Sequence, residues 1–151
     1  MYKQIGMIVL LALGFTLAGC GSSSMGSNSG NINGTWTAAL TNPDGSPAFS
    51  FSTTFTQGSS STLSVTDFTF TSTGSCFASE QTSQTGSFSL SGNFSGNVAG
   101  TFGMMITTMS TGTKNVLTLQ GSVAGNTISG TWTLTGATGC SGNGSFTINR
   151  M

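Results

Sequence analysis

The sequence predicts an all-β fold, an eight-stranded antiparallel up-and-down barrel; a two-sheet β-sandwich is the alternative that buries the same face. Three observations carry this. From Ile32 onward apolar residues recur at every second position, and no stretch repeats at 3.6. Short and long connections alternate along the chain, so in a meander all tight turns gather at one end. A sheet edge is ordinarily guarded by Lys, Pro or an inward charge, and these strands carry almost none. Joining strand eight to strand one removes the edges.

The strands follow in order. Trp36, Ala38 and Leu40 mark the first, and Phe49, Phe51 and Phe55 the second. Leu63 and Val65 share one parity in the third, then Phe68 and Phe70 take the other, a slip that predicts a bulge at Asp67. Phe88, Leu90 and Phe94 mark the fourth, and Val98, Phe102, Met104 and Ile106 the fifth. Leu117, Leu119 and Val123 mark the sixth, Ile128, Trp132 and Leu134 the seventh, Phe146 and Ile148 the eighth. Their alternate neighbours are mostly Thr and Ser, which suit exposed strand positions. The tight links are 57–60, 95–96 and 124–126; the long ones are 41–47, 72–84, 109–114 and 136–143. Alternation alone leaves open an inverted barrel with its apolar face toward lipid.

Composition narrows the function. Glycine, serine and threonine make up 74 of 151 residues, only 4% are charged, and histidine is absent. Such a chain lacks the Lys/Arg stripe that displaces counterions from phosphates, so no nucleic-acid partner is expected. It also lacks imidazole for a triad or metal site. The titratable groups of the body are Asp44, Asp67, Glu80, Lys114 and Arg150. Asp44 reads as a turn residue in Asn42-Pro43-Asp44-Gly45, and Asp67 as the partner of loose N–H groups at the bulge. Glu80 and Lys114 lie in long links and are placed to pair across the open end. No enzyme, cofactor or metal follows from this set. Met104, Met105 and Met109 read as core gap-fillers rather than soft-metal ligands.

The leader carries an address. Ile5 to Ala18 is an apolar run too short for a mature membrane span of about 20 residues, and it suits a secretory signal. It closes on Leu17-Ala18-Gly19-Cys20, which resembles the lipobox of bacterial lipoproteins. The resemblance implies cleavage before Cys20, a diacylglyceryl thioether on its sulfur, and acyl chains such as palmitate that anchor it in a membrane. Gly21, where that family's inner-membrane signal has Asp, implies the outer membrane if the host has one. The expected organisation is a signal-peptide helix at 1–19, a lipidated Cys20 with a flexible Ser/Gly/Asn tether at 20–31, and the barrel at 32–151. Cys76 and Cys140 are then left as an even pair in an oxidising compartment, both in long links, and a disulfide is expected.

Gly34-Thr35-Trp36 opens strand one, and Arg150, the only arginine, closes strand eight. That pattern resembles the lipocalins, which implies an arginine packed over a tryptophan at the barrel floor. The opening Gly-x-Trp strand also resembles that of avidins, although this chain lacks their further binding-site tryptophans and tyrosines. The expected function is a lipid-anchored extracytoplasmic barrel that holds a small apolar ligand through its long-loop mouth. Trp132, Phe102, Met104 and Phe51 are its candidate lining residues, with glycines such as Gly92, Gly100 and Gly130 leaving room. If the core is filled, the expectation becomes a structural or surface-interaction lipoprotein that contacts an envelope protein partner.

Overall fold

A computed structural model describes residues 32–58, 61–72, 75–78, 81–90, 99–109 and 112–151. Cys20, Glu80, Phe94, Val98, Gly92 and the expected turn at 95–96 lie outside them. Eight strands follow one another: β1 (Gly34–Thr41), β2 (Pro47–Gln57), β3 (Thr62–Ser72), β4 (Thr82–Leu90), β5 (Ala99–Thr108), β6 (Val116–Ala124), β7 (Thr127–Thr135) and β8 (Gly142–Arg150). Each pairs with the next, and β8 returns to β1, which closes an antiparallel barrel. The sandwich is thereby excluded. Every strand has both neighbours in this order, the β3–β4 contact being the shortest ladder.

Alternation decides which side chains go in. Trp36, Ala38 and Leu40 of β1 are buried while Thr35, Thr37 and Ala39 are exposed, and the other strands repeat the pattern. The outer wall is therefore mostly threonine and serine. Among the described residues it offers no apolar band of the kind a lipid-facing barrel presents. Inside, one aromatic cluster runs up from the floor through Trp36, Phe55, Phe102 and Phe146. A second gathers near the mouth around Phe49, Phe51, Phe68, Phe70, Phe77 and Trp132.

The expected bulge is present. Ser52 faces Thr69 and Thr54 faces Thr66, so Thr53 stands opposite both Asp67 and Phe68. Asp67 takes a positive φ of 51°, and this turns Phe68 back toward the apolar side. The carboxylate of Asp67 does not serve the loose backbone as expected. It is exposed, and Thr53, itself buried, donates its hydroxyl to the Thr66 carbonyl at 2.9 Å instead.

Two further expectations are corrected. The link before β4 ends earlier than Gln84, because Thr82, Ser83 and Gln84 already pair with Thr108, Thr107 and Ile106 of β5. Of the three methionines only Met104 fills the core; Met105 and Met109 are 45% and 64% exposed. Met105 has the outward parity of β5, and Met109 lies just past its end.

At Gly86, Gly121, Gly130 and Gly144 large neighbours take the space an inward glycine leaves. Gly121 and Gly130 pair with each other between Phe102 and Phe146, which are opposite them on β5 and β8. The two rings meet over this gap with centroids 6.2 Å apart. A methyl group on Gly121 would stand 2.9 Å from the Phe146 ring. On the next row Trp132 reaches past Gly144 to β1, where its indole N–H donates to the Thr41 carbonyl at 2.9 Å. Leu63 covers Gly86 in the same way, 3.0 Å from where a β-carbon would sit. Small and large residues alternate so that the large ones occupy the axis, as expected for an eight-stranded barrel.

Candidate functional site at the barrel mouth

The floor lies at the end of the short links, and the β1–β8 corner of it is closely packed. Ile32 is fully buried and its carbonyl accepts the Trp36 indole N–H at 2.8 Å. Arg150 is opposite Trp36 in the β1–β8 ladder, and its guanidinium carbon lies 4.8 Å from the centre of the indole ring. The Met151 N–H adds a bond to the Thr35 carbonyl at 2.9 Å. The two ends meet because a closed meander makes its first and last strands neighbours.

The mouth is built from the long links. The β1–β2 link is a tight turn in which the Asp44 carboxylate accepts from the Ser46 hydroxyl at 2.6 Å and the Ser46 N–H at 2.9 Å. These two bonds, the hydroxyl first, hold the Asp44 carboxyl below its ordinary value. The structural role expected for this residue fits that geometry. Asp67 on the side wall and Lys114 in the β5–β6 link are exposed and stand on different elements. Among the described residues no three His, Cys, Asp or Glu side chains come together.

Across the opening lies Ser75–Ala78, part of the β3–β4 link. Cys76 is joined to Cys140 of the β7–β8 link with Cα atoms 5.7 Å apart. The bridge expected from the cysteine count is therefore present, and it ties together two links that belong to different sides of the barrel. Asn115 reinforces the tie from a third link. It is buried, its amide N–H donates to the Cys76 carbonyl at 2.8 Å, and its side-chain oxygen accepts from the Ala137 N–H at 2.9 Å. Its backbone is fixed in turn by Thr108, through bonds of 3.0 and 3.1 Å. One amide side chain thus holds three long links in a single arrangement.

Phe77 points down from this strap into the barrel. It is 6% exposed, stacked on Phe70 with centroids 5.3 Å apart, and edge-on to Phe49 at 6.2 Å. Among the described residues this ring covers part of the mouth that was expected to be open. Phe77 belongs to no alternating run, so periodicity does not reveal it; its place beside Cys76 in a polar link was the available signal. Asn115 carries no such signal, since its bonds cross sequence separations of 39 and 22.

Beside the strap a cleft of about 290 Å³ remains, with Phe49, Cys76, Trp132 and Leu134 among its walls. Of the candidate lining residues, Trp132 alone borders it. Phe51, Phe102 and Met104 are buried in the packed interior at 1%, 4% and 3% exposure. Where Gly103 puts no side chain on the outer wall, depressions of about 310 and 430 Å³ lie between Ser87 and Gln120. They open outward, away from the axis. The fold and site together define a small closed antiparallel barrel with a disulfide-strapped mouth. Comparison with protein families, with curated proteins and with solved structures returns no match.

Proposed function

We propose that the chain is a lipid-anchored envelope protein whose barrel is a filled scaffold, presenting its hydroxyl-covered wall to partners in the envelope. The anchor rests on Leu17-Ala18-Gly19-Cys20 and the apolar run before it. The carrying observation for the scaffold is the interior. Among the described residues, Trp132, Phe146 and Leu63 fill the space beside inward glycines, Phe102 meets Phe146 over Gly121, and Phe77 is buried at the mouth. A carrier of an apolar molecule needs a concave chamber that buries most of its ligand. The wall suits contact with polar partners, since serine and threonine hydroxyls both donate and accept and charge steers nothing.

A second reading has one specific observation in its favour. The cleft beside the strap is lined by Phe49, Trp132 and Leu134, and it would admit a small apolar group at its rim. Native mass spectrometry of the protein extracted from its own membrane separates the two. The scaffold reading expects the mass of Cys20–Met151 plus a diacylglyceryl group on sulfur and an acyl chain on the amine, less two hydrogens for the bridge, and no further adduct. A stoichiometric apolar adduct would overturn it in favour of the second reading. An unmodified leader would overturn the anchor.

A further inference from the structure

We propose that Phe77 is a removable plug in an apolar niche, and that the Cys76–Cys140 bond decides whether that niche opens to a small molecule bearing an aromatic ring. The inference goes beyond the scaffold reading, which concerns the bridged chain with the plug in place.

The niche has the geometry that holds a flat ring. Phe70 lies against one face of Phe77 at an interplanar angle of 27°, and Phe49 meets it edge-on at 77°. One stacked and one perpendicular neighbour are the two arrangements aromatic groups favour. The ring that fills this niche is carried by a link rather than a strand, so it can leave without breaking a ladder. The neighbouring cleft shares Phe49 and Cys76 as walls and continues to Trp132, which stands edge-on to Phe49 at 5.6 Å. With Phe77 withdrawn, niche and cleft become one cavity that opens at the mouth.

A second observation shows where the movement is easy. The strap joins β3 to β4, and among the described residues those two strands pair at Thr62↔Ser87 and Leu63↔Gly86, with the Phe88 N–H bonding the Ser61 carbonyl beside them, all toward the floor. β4 and β5, by comparison, are paired along the whole of β4. The strap is secured on the far side instead, by the bridge to Cys140 and the Asn115 bond. Among the described residues, cutting the bridge leaves the Asn115 bond, the Gln81 N–H bond to the Ala78 carbonyl and the Phe77 contacts to hold it. A dithiol can do this: one thiolate attacks a bridge sulfur, the S–S bond breaks, and a mixed disulfide forms. The second thiol resolves it. Two electrons and two protons pass to Cys76 and Cys140, and the dithiol leaves as a disulfide.

The test uses the folded chain and the fluorescent probe 1-anilinonaphthalene-8-sulfonate, with near-UV circular dichroism as the check on packing. The bridged wild type should leave the probe dark. Phe77→Ala should bind it saturably, one probe per chain, with several-fold brighter emission and transfer from Trp132. Wild type treated with a dithiol, and the Cys76→Ser/Cys140→Ser variant, should do the same more weakly, because Phe77 still competes. A packed Phe77→Ala that leaves the probe dark overturns the niche. Binding that is unsaturable, or that comes only with loss of the near-UV signal, also overturns it, since disrupted cores bind this probe generally. Binding by Phe77→Ala but not by the reduced chain overturns control by the bridge. One-to-one binding by the bridged wild type would instead count against the scaffold reading.

Discussion

The single cation of the floor shows how much one residue contributes. Arg150 ends the chain's last strand over the indole of Trp36, whose N–H is already committed to Ile32. The guanidinium is partly shielded there, so its attraction to the ring quadrupole lies between the exposed and desolvated limits. Arg150→Ala should therefore destabilise the barrel by about 1 kcal/mol, read as a lower midpoint in urea at unchanged slope. Arg150→Lys should recover part of the loss, since an ammonium keeps the charge but not the flat stacking surface. Equal losses in the two variants would mean that the planar contact, and not the charge, matters. This pair was legible from sequence because closure of a meander dictates which residues meet. Asn115 was not, because nothing local distinguishes a surface asparagine from one that bonds across three links.

Strands were legible in proportion to the apolar residues they carry. β1, β2 and β5 to β7 have oily side chains at most inward positions, β8 has Phe146 and Ile148, and alternation locates them. β4 has Thr82, Gln84 and Gly86 at its first inward positions, so it shows no apolar signal until Phe88. Inward glycines were visible too, but not their purpose, which depends on the partners that registers bring opposite. Gly121 and Gly130 form one cross-strand pair because Phe102 and Phe146 need the space above it. A β-carbon on Gly121 would also strike the Ser129 carbonyl, and one on Gly130 the Gln120 carbonyl. Backbone cannot swing aside as a side chain can. Gly121→Ala should therefore cost about 1–3 kcal/mol in a urea titration, the range of an overpacked core. Gly103→Ala is the control: it faces outward, with only the Ser87 hydroxyl 3.0 Å away, and should shift stability by less than about 0.5 kcal/mol. Similar losses at both positions would show that glycine flexibility, and not the ring contact, sets the cost.

For the molecule as a whole, the ladders are unequal and the covalent tie compensates for the weakest of them. Most neighbouring strands are paired along much of their length, while β3 and β4 share two residue pairs, so barrel closure is least secure there. The Cys76–Cys140 bridge anchors the link between those strands to the opposite side, across a sequence separation of 64. By loop-closure entropy such a crosslink stabilises by about 4 kcal/mol, acting mainly on the unfolded chain. Two consequences can be separated. Reduction of the wild type should lower the unfolding free energy by about that amount, and the urea slope should rise because the freed denatured chain exposes more surface. Amide hydrogen exchange should then accelerate first in Ser64–Asp67 and Ser83–Thr85, the facing stretches beyond the two shared pairs, while the β5–β8 wall keeps its protection. Uniform acceleration across all eight strands would mean that the bridge acts only through the unfolded state, and that the β3–β4 seam is no weaker than the rest of the wall.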